Sequence, residues 1–469
     1  MQASAATMAP AIQARKPKRN LVLILSDDHR FDVMGCAGHP WVKTPGMDRL
    51  ARGGALLENA FVTTALCSPS RASILTGRYA HAHGIVNNST LLPQRLWTFP
   101  QSLRQNGYRT AFVGKWHMGR QSDMPQPGFD RWASFQGQGT YTDPLINIDG
   151  DRRTIRGYTT DILTEEAVRF ISEQSGNPFF LLLSHKAVHS EFLPAERHKT
   201  LYSDKTAPRP GSMADTEENR RQKPEWVRRQ RPTCHGVVGL LGRTDLDEIY
   251  RDYCRTLMAL DDSIGRVMDE LERRRLLDDT LIVYMGDNGF LWGEHGLLDK
   301  RAMYEPSIRI PMLAHCPSLF PGGRRLSGMA LNIDVAPTLL EMAGVAAPEG
   351  LHGRSLLPIL TGGGAPRTEF LYEYFWERSF PQTPGVMGIR TERHSYMHYH
   401  GIWDDGELYD IRDDPEQRTN LLAGSRPSTE CNMQYRIPDP ARRGLVTSLQ
   451  ERMAKLLADT GGRLDPSWG

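Results

Sequence analysis

The chain lacks the features that mark a zinc protein, a disulfide-rich protein or a membrane protein. Its 469 residues include six cysteines and no C-x-x-C pair, which argues against a zinc site and a disulfide framework. No apolar run approaches the roughly 18 to 20 residues of a membrane span. The six scattered cysteines are Cys36, Cys67, Cys234, Cys254, Cys316 and Cys431.

An excess of charge of one sign is also absent. The 57 basic and 55 acidic side chains create no overall field, so we expect neither a nucleic-acid nor a membrane partner. The first twenty residues contain no apolar signal core and turn basic at Lys16–Arg19. We therefore expect a cytoplasmic protein, or a periplasmic or secreted one whose leader has been removed. The oligomeric state is left open.

The sequence does contain strands alternating with helices, as in an α/β fold. The clearest amphipathic helix is predicted over Leu246–Leu271, with Asp245 as its N-cap. We expect a large mixed, mostly parallel sheet flanked by helices. Short apolar runs predict its buried parallel strands at Leu21–Leu25, Thr110–Val113, Phe179–Leu183, Leu281–Met285 and Ile310–Ala314.

The chain is longer than one compact core normally uses, so a large and a smaller domain are expected. Residues 1–19 are interpreted as a tail, residues 20–361 as the main α/β domain, and residues 362–469 as an α+β subdomain. That subdomain is predicted to hold a small antiparallel sheet and a helix. Its segments are Glu369–Trp376, Gly388–Tyr399, Glu407–Ile411 and the helix Arg443–Leu457.

Polar side chains follow four of the predicted strands, at the point where each strand ends. In an open α/β sheet, ligands bind beyond the carboxyl ends of the strands, so these groups should meet at one edge. The oxygen ligands among them suit Ca²⁺ best and Mg²⁺ less well. The oxygen ligands are Asp27, Asp28, Asp287 and Asn288, and the remaining groups are Lys115, His117, His185 and His189.

The run Cys67–Arg78 combines a thiol, a Ser-Pro pair, an arginine and a Thr-Gly stop. Ser68 is predicted to cap a short helix whose first residue is Pro69. Cys67 would then lie beside the positive end of that helix, with Arg71 one turn away, where an anion can bind. A buried structural cysteine is the alternative interpretation.

Other basic residues have two interpretations each. Lys115 and His117 are expected on one side of an extended segment, or else as a surface lysine and a half-buried histidine. Lys300 either folds back to the predicted site for the cation and the anion, or lies exposed and pairs with Glu305. His189 is preferred to His185, which could be structural. A divalent cation with several cationic side chains would stabilise an oxyanion in phosphoryl or sulfuryl transfer.

These motifs resemble those of the type I sulfatases, which belong to the alkaline-phosphatase-like superfamily. The resemblance extends from about Leu21 to Leu422, and the segment His185–His198 is most similar to carbohydrate-directed members such as N-acetylglucosamine-6-sulfatase. The matching motifs, in the family's order, are Asp27–Asp28, Cys67–Arg78, Gly114–His117, Gly286–Gly289 and Gly296–Lys300.

The resemblance implies a modified cysteine and a metal ion. Cys67 would be oxidised to formylglycine by a formylglycine-generating enzyme, and its hydrated gem-diol would be both the nucleophile and a calcium ligand. The other implied calcium ligands are Asp27, Asp28, Asp287 and Asn288.

The resemblance also implies roles for the cationic residues. Arg71 would stabilise the hydrated aldehyde, while Lys115 and Lys300 would hold the sulfate oxygens. His117 and His189 would serve proton transfer and sulfate binding, and which of them protonates the leaving alcohol is left open. The family often has Pro-His-x-Pro around this second histidine, whereas this chain lacks both prolines in Ala187–Phe192.

The implied activity is hydrolysis of sulfate monoesters on a carbohydrate, such as 6-O-sulfated N-acetylglucosamine or a related glycan, through a covalent sulfo-enzyme intermediate. The sugar, the sulfate position and endo or exo action are left open. Residues 195–244 carry 11 Lys/Arg against 6 Asp/Glu. We interpret them as a lid that meets an anionic glycan, aided by Trp226 and His235, or alternatively as a solvated insertion.

Two other functions stay open at this point. One is a phosphate or phosphonate monoester hydrolase on the same scaffold, since a cation and basic residues also suit a phosphoryl group. The other is a non-catalytic protein that binds sulfated glycans, which would apply if Cys67 were not oxidised. The aromatic residues of Tyr372–Trp376 are interpreted as core of the small sheet, with a sugar-stacking wall as the alternative.

Overall fold

Eighteen strands are found in the computed structural model, which describes residues 18–119, 121–400, 406–427, 435–437 and 439–463. Cys431 and nearly all of the expected N-terminal tail lie outside these residues. The strands are β1 (Asn20–Ser26), β2 (Ala55–Phe61), β3 (Arg109–Lys115), β4 (Arg131–Phe135), β5 (Leu145–Ile148), β6 (Asp151–Thr154), β7 (Phe179–Ser184), β8 (Thr280–Gly286), β9 (Leu291–Trp292), β10 (Leu298–Asp299), β11 (Met312–His315), β12 (Arg324–Leu331), β13 (Glu369–Tyr374), β14 (Gly385–Thr391), β15 (His394–His400), β16 (Glu407–Asp410), β17 (Arg426–Pro427) and β18 (Tyr435–Arg436).

Twelve α-helices are present in the same part of the chain, and none of them is long and apolar enough to cross a membrane. They are α1 (Pro45–Arg52), α2 (Cys67–Thr76), α3 (Ala80–His83), α4 (Phe99–Gln105), α5 (Thr159–Ser172), α6 (Glu217–Arg221), α7 (Glu225–Gln230), α8 (Leu246–Arg273), α9 (Glu305–Ile308), α10 (Val335–Ala343), α11 (Leu357–Leu360) and α12 (Pro440–Asp459). Short 3₁₀ turns lie at Glu196–His198, Gly211–Met213, Leu240–Gly242, Leu277–Asp279, Glu294–Gly296 and Asn332–Asp334.

Ten strands form one mixed sheet in the order β12-β2-β11-β8-β1-β7-β3-β4-β5-β6. The central strands β8, β1, β7, β3 and β4 are parallel to one another, which confirms the expected fold class. The expectation of a parallel strand at Ile310–Ala314 is wrong. The strand there is β11, and it runs antiparallel to β8 and β2. An apolar run reports burial on both faces of a sheet but carries no information about direction.

Each face of this sheet packs against its own hydrophobic core. Leu21, Leu23 and Leu25 of β1 belong to one core, and Val22 and Ile24 belong to the other. Successive side chains of a strand point to opposite faces, so a strand covered on both sides is apolar throughout. Helix α8 packs in the second core, while α2 and α10 pack in the first.

The predicted amphipathic helix is confirmed as α8. Its apolar positions recur every three or four residues and are buried, including Ile249, Leu257 and Ile264. The Asp245 carboxylate accepts a hydrogen bond from the backbone N–H of Asp247, as expected of an N-cap. Helices α5 and α1 both pack on α8, so the three helices form one layer over this face of the sheet.

The smaller sheet has the order β13-β14-β15-β16 and is antiparallel throughout, which confirms the expectation for this region. Helix α12 packs on β13 and β14. A buried carboxylate, Glu407, joins this sheet to the rest of the molecule. It accepts hydrogen bonds from the hydroxyls of Tyr304, Tyr399 and Tyr409, and Lys223 of the basic insertion lies 3.9 Å away. The domain boundary between residues 361 and 362 stays a prediction.

Candidate active site

The start of helix α2 places the thiol of Cys67 at the edge of the large sheet. The helix begins at Cys67 with Leu66 in the N-cap position, so the prediction of a cap at Ser68 is wrong. The Ser68 hydroxyl instead donates to the carbonyl of His117 and ties the helix to the segment after β3. Gly77, with φ of 65°, ends the helix in the left-handed conformation, as the Thr-Gly stop predicted.

Cys67 is fully buried among ionised groups. Its Sγ lies 3.5 Å from Asp27 Oδ1 and 3.1 Å from Lys300 Nζ. Burial, followed by the negative charge of Asp27, raises the pKa of the thiol to about 12. An unmodified Cys67 is thus a poor thiolate nucleophile, since a reactive cysteine needs a lowered pKa.

Three carboxylates converge beyond the ends of β1 and β8. Oxygens of Asp27, Asp28 and Asp287 lie within 4.8 Å of one another, and all three side chains are buried. Asn288 donates to Asp28 Oδ1 at 2.7 Å, while its own Oδ1 is buried without a hydrogen-bond partner in the part of the chain described. A hard divalent cation is coordinated by carboxylate and amide oxygens. The three carboxylates and the unpaired amide oxygen of Asn288 therefore fit such an ion.

Arg71 connects the helix to two of the three carboxylates. Its Nε donates to Asp287 at 2.8 Å and its Nη2 to Asp27 at 3.0 Å. Its Nη1 donates at 2.6 Å to the carbonyl of Lys115 and to the hydroxyl of Ser184. One guanidinium therefore fixes the ends of β1, β3, β7 and β8 relative to Cys67, using the fork geometry that a lysine cannot reproduce.

Lys115 and Lys300 both reach the carboxylates. Lys115 Nζ donates to Asp27, and Lys300 Nζ donates to Asp28. The alternative of an exposed Lys300 paired with Glu305 fails, because Lys300 is buried and Glu305 pairs with Arg390 at 2.8 Å.

The backbone before Lys115 lies very close to β7. A Cβ on Gly114, whose φ is 121°, would lie 1.8 Å from the carbonyl oxygen of Ser184. Only glycine permits this approach, and it brings Lys115 against the central strands. Trp116 is buried against Phe112 and Trp132, so it anchors the segment.

Burial and the charges of this cluster together shift the pKa values of the carboxylates in opposite directions. Burial raises the pKa of Asp27, but Lys115 and the other nearby cations outweigh it and hold the pKa well below its usual value. Burial raises the pKa of Asp28 to about 7, with Lys300 opposing the shift and Asp27 adding to it. Burial and Asp27 also raise the pKa of Asp287. Three carboxylates this close need a cationic partner to be ionised together.

Two of the three candidate histidines lie at this site. His189 Nε2 is 3.9 Å from Asp28 Oδ2, and its ring lines the cavity above the carboxylates. His117 lines the same cavity, although its φ of 51° shows that the segment after β3 is not extended as expected. His185 is fully buried and contacts Ser263 at 3.0 Å, away from the cavity. The preference for His189 over His185 agrees with this geometry.

Hydrogen bonds from other elements shape the loop that lacks the family's prolines. The backbone N–H of Asp27 donates to the carbonyl of Ala187, and Val188 donates back to the carbonyl of Asp27. The Tyr141 hydroxyl donates to the carbonyl of His189 at 2.7 Å, and Tyr158, stacked on Tyr141 with ring centres 6.0 Å apart, holds Leu193 further along the loop.

The cavity above these residues has a volume of about 420 Å³. Its outer wall contains a chain of paired charges, of which the sequence analysis named only His235. His235 Nδ1 lies 3.1 Å from Asp299, Asp299 contacts Arg301, and Arg301 donates to Glu377 at 2.9 Å. The Arg301 guanidinium also lies 3.4 Å from the ring centre of Phe380. Adjacency to Lys300 is the only sequence signal that marks Asp299 and Arg301, and no sequence signal marks Glu377.

The substrate contacts expected from sequence divide between two places. His235 lines the cavity, and its contact with a substrate stays a prediction. Trp226 instead packs in the core against Tyr399, with ring centres 5.4 Å apart, and the structure does not bring it to the cavity. Tyr372 and Tyr374 are buried in the core of the small sheet, whereas Trp376 is exposed. None of the aromatic residues of Tyr372–Trp376 lines the cavity. Gln138, which accepts a hydrogen bond from Lys115, is a further lining residue that no motif indicated.

Comparisons with known proteins identify the family of this chain. The Sulfatase family model matches residues 19–345, and the model of the N-sulphoglucosamine sulphohydrolase C-terminal region matches residues 293–437. The chain is 32% identical to N-acetylglucosamine-6-O-sulfatase of Bacteroides thetaiotaomicron, over 92% of this chain and 90% of that protein. It is 30% identical to human N-acetylglucosamine-6-sulfatase, over 91% and 85% of the two chains.

Solved structures share the fold. One, of a protein in complex with its substrate D-glucosamine-2-N,6-O-disulfate, superposes with a TM-score of 0.83 at 28% identity and covers 95% of this chain and 98% of its own. A phosphonate monoester hydrolase of Agrobacterium radiobacter has a TM-score of 0.74 at 22% identity, over 94% and 96% of the two chains. That second likeness shows the fold alone.

The family model covers more than half of the chain, and the relatives at 30% identity or more are matched over most of their length. The residues of the family motifs converge on one buried cluster of three carboxylates, two lysines, an arginine and a cysteine. The chain therefore belongs to the type I sulfatases of the alkaline-phosphatase-like superfamily and is a sulfuric ester hydrolase.

Proposed function

We propose that this sulfatase removes the 6-O-sulfate from an N-acetylglucosamine unit, or from a closely related amino sugar, of a sulfated carbohydrate. The observation that supports this most is the cavity that opens directly above Asp28 and Lys300 and ends in a polar wall. Relatives named N-acetylglucosamine-6-sulfatase, which align along most of the chain, support the same choice of sugar.

Two groups complete the site in this proposal. Cys67 is oxidised to formylglycine, whose hydrated aldehyde supplies an oxygen nucleophile for attack on sulfur. A divalent cation, with Ca²⁺ preferred to Mg²⁺, supplies positive charge at the reacting oxygens and is held by Asp27, Asp28, Asp287 and Asn288. The high thiol pKa supports the first assignment, because the unmodified side chain has little nucleophilic character at neutral pH.

The cationic side chains stabilise the transferred sulfuryl group. Lys115 and Lys300 enter the carboxylate cluster from two sides, where each can meet an oxygen of a bound sulfate. Arg71 keeps residue 67 and the strand ends in register through four hydrogen bonds. Such preorganised charge is effective because the site is buried and reorganises little during reaction.

His117 and His189 are the candidate proton donors to the leaving sugar oxygen. Both line the cavity, and burial, with the charge of Lys115 next in size, lowers the pKa of each well below its usual value. A bound sulfate, being negative, opposes this shift and favours the protonated imidazole. A proton delivered to the ester oxygen lets the alcohol leave without developing full negative charge.

The outer wall is suited to the sugar rather than to the sulfate. Asp299 and Arg301 flank Lys300 in sequence and offer an acceptor and a donor, while His235 and Glu377 hold them in place. Paired charges of this kind recognise hydroxyl groups by hydrogen bonding and reject a substrate that leaves them unpaired. A sulfated monosaccharide or a chain end would fit a cavity of about 420 Å³.

Phosphate or phosphonate ester hydrolysis is the second candidate. The chain is 27% identical to the multifunctional alkaline phosphatase superfamily protein PehA of Trinickia caryophylli, over 86% of this chain and 91% of that protein. A phosphate monoester carries nearly two negative charges and a sulfate monoester one. Turnover of matched aryl phosphate and aryl sulfate therefore separates the two activities.

One set of measurements tests the proposal. Protein co-expressed with a formylglycine-generating enzyme is analysed by intact-protein mass spectrometry and then assayed on 2-, 3-, 4- and 6-sulfated monosaccharides. We expect conversion of the thiol to the aldehyde and release of sulfate from 6-sulfated N-acetylglucosamine. Oxidised protein that desulfates another position and leaves this sugar intact would overturn the substrate assignment. Activity from a fully unoxidised thiol would overturn the assignment of the nucleophile.

A further inference from the structure

A second cavity, of about 540 Å³, borders the basic insertion formed by residues 195–244. It is separate in its lining from the cavity above the carboxylates, because no residue in the described part of the chain lines both. Helices α6 and α7 and the turn after them supply most of its wall. The charged residues of the wall are Arg220, Lys223, Arg228, Arg229 and Arg231, with Asp215 and Glu225.

The acidic members of this wall are already neutralised. Asp215 accepts two hydrogen bonds from Arg220, at 2.8 and 2.7 Å, and Arg231 Nε lies 3.5 Å from it. Glu225 pairs with Arg229 one turn along α7. Three arginines thus share two carboxylates, and the wall keeps positive charge in excess.

The other two cations differ in their surroundings. Lys223 is buried, donates to the Tyr409 hydroxyl at 2.7 Å, and lies 3.9 Å from Glu407, which balances its charge. Arg228 is exposed at the cavity, and it donates a hydrogen bond of 3.4 Å to the carbonyl of Arg220. With Lys223 balanced, the wall has a surplus of two positive charges. A concave surface with such a surplus concentrates anions.

A buried histidine adds an unused polar atom to this wall. His295 lines the cavity and is 6% exposed, and its Nδ1 has no hydrogen-bond partner within the residues described. Its ring lies against Tyr304, with centres 4.0 Å apart, which fixes its position. An imidazole N–H is a donor that an anion can use.

The two cavities are connected through shared chain segments. Residues 231–238 contribute Arg231 to the second cavity and His235 to the first. Residues 295–301 contribute His295 to the second cavity and Lys300 to the first. Backbone hydrogen bonds join these segments, from Val237 to Gly296 and from Leu298 to His235. These bonds link the wall of the second cavity to the segment that carries Lys300. An anion held in the second cavity would therefore act on the position of Lys300.

We propose that the second cavity binds a sulfate group other than the one being hydrolysed. This inference rests on the proposed function in one respect: the proposed substrate is the sulfated carbohydrate that would carry this second sulfate. The group is either a further sulfate on an oligosaccharide substrate or free inorganic sulfate. In both cases the sulfate is bound by the unpaired positive charge of the arginines of α7 and of the turn that follows it.

Arg228→Gln and Arg229→Gln test the proposal, with Arg221→Gln as the matched control. Arg229 pairs with Glu225 and Arg221 pairs with Glu217, both as exposed i,i+4 pairs, yet only Arg229 lines the cavity. Each protein is assayed on 6-sulfated N-acetylglucosamine and on an oligosaccharide that ends in this unit and carries additional sulfates. An oligosaccharide with an unsulfated extension is the substrate control.

The two sources of sulfate predict different results. If the substrate supplies the sulfate, each cavity variant should lose preference for the multiply sulfated oligosaccharide. The ratio of its kcat/KM to that of the monosaccharide should fall roughly two- to fivefold, because an exposed charge pair is worth that much. If free sulfate supplies it, added inorganic sulfate alters monosaccharide turnover in a non-competitive manner, and both cavity variants lose that component. The proposal is overturned if both variants behave like Arg221→Gln with every substrate and at every sulfate concentration.

Direct binding separates this inference from the proposed function. Calorimetric titration of the sulfated oligosaccharide into the wild-type protein, the two cavity variants and the Arg221→Gln control is repeated at low and high salt. Weaker binding and a smaller salt dependence in Arg228→Gln and Arg229→Gln would support the second site even if 6-sulfated N-acetylglucosamine proved not to be the substrate. Turnover of that sugar with equal oligosaccharide binding in all four proteins would leave the proposed function standing and remove the second site.

Discussion

The hydroxyl of Tyr141 donates a hydrogen bond of 2.7 Å to the carbonyl oxygen of His189. Tyr141 comes from the segment before β5, while His189 lies in the loop after β7. The ammonium group of Lys186 lies 4.6 Å from the centre of the Tyr141 ring, where it forms a cation–π contact that helps to hold the ring. A tyrosine thus fixes the backbone of a candidate proton donor in a loop without prolines.

Replacing Tyr141 with phenylalanine should reduce kcat more than it affects KM. The ring and its contact with Lys186 remain, and only the hydrogen bond to the His189 carbonyl is lost. A net hydrogen bond is worth about 0.5–1.5 kcal/mol, so kcat should fall by at most roughly tenfold. Tyr158→Phe is the control, because it removes an equivalent bond of 2.8 Å to Leu193, further from His189. Equal losses of kcat in both variants would argue against a positioning role for Tyr141.

The two histidines can be separated by the quality of the leaving group. Removal of a general acid slows the hydrolysis of a sugar sulfate far more than that of 4-nitrophenyl sulfate, whose leaving group needs no proton. We expect His189→Ala or His117→Ala, but not both, to show this selective loss, by roughly 10²-fold or more. Steady-state kinetics on both esters would measure it. Parallel losses on both substrates in both variants would mean that neither histidine protonates the leaving oxygen.

Cys67→Ser should trap a covalent sulfate. Serine can attack sulfur once through its oxygen, with the ester oxygen leaving as the alcohol, but it has no second hydroxyl whose deprotonation could expel the sulfate. Intact-protein mass spectrometry after incubation with substrate should therefore show a sulfated variant and, at most, one turnover. Normal turnover without a mass increase would contradict the expected mechanism.

Removal of divalent metal should abolish activity and lower thermal stability. Three buried carboxylates lie within 4.8 Å of one another, and an ion that binds only the folded state stabilises it by mass action. After treatment with a chelator, Ca²⁺ should restore activity and Tm more fully than Mg²⁺. Asp287→Ala should lose most of the Ca²⁺-dependent shift in Tm, measured by calorimetry. Full activity after metal removal would contradict the assigned ligands.

Stability should depend on pH through Asp261, which lies far from the carboxylate cluster along the chain. Its carboxylate accepts hydrogen bonds from Gly46 and Met47 at the start of α1, and burial raises its pKa from 3.8 to about 7. The folded state therefore binds a proton that the unfolded state releases, so this contribution to the free energy of unfolding declines as pH rises from about 4 to about 7.

Asp261→Asn should flatten that decline, as measured by denaturant unfolding at several pH values. The neighbouring Asp262 is the control, because hydrogen bonds from His198 and Arg197 hold its pKa below the usual value despite partial burial. Its contribution to stability should be lost as pH falls, so Asp262→Asn should reduce stability near neutral pH and have less effect in acid. Identical pH profiles for both variants and the wild type would refute the role of either carboxylate.

The sequence located the strands that carry the site because those strands are buried on both faces. Residues at the ends of β1, β3 and β8 could be assigned to one sheet edge from the apolar runs alone, since parallel strands end together. The direction of β11 could not be assigned, because the burial of a strand does not indicate whether it runs parallel or antiparallel to its neighbours. β6 was missed for the opposite reason: its four residues are all exposed and have no apolar pattern.

Most residues in the outer part of the site could not be predicted from the sequence. Gln138 and Glu377 reach the cavity from loops far apart in the chain, and nothing in their local sequence distinguishes them from surface residues. Tyr141 was missed because its partner is a backbone carbonyl, which any residue can provide. Charge bias in residues 195–244 indicated an anionic partner, but only the fold divides those residues between Trp226 in the core and His235 in the cavity.

The buried carboxylate of Glu407 has a consequence for how the molecule can be divided. Its partners come from the main domain, the small sheet and the basic insertion. Cutting the chain after α11 would therefore leave the Tyr304 hydroxyl and the Lys223 ammonium group without this acceptor, while Tyr399 and Tyr409 would be removed together with Glu407. The same cut would remove the loop between β13 and β14 that supplies Glu377 and Phe380. Truncated or chimeric versions should therefore exchange this whole block together, because the main domain and the C-terminal block share one buried anchor and both line the cavity.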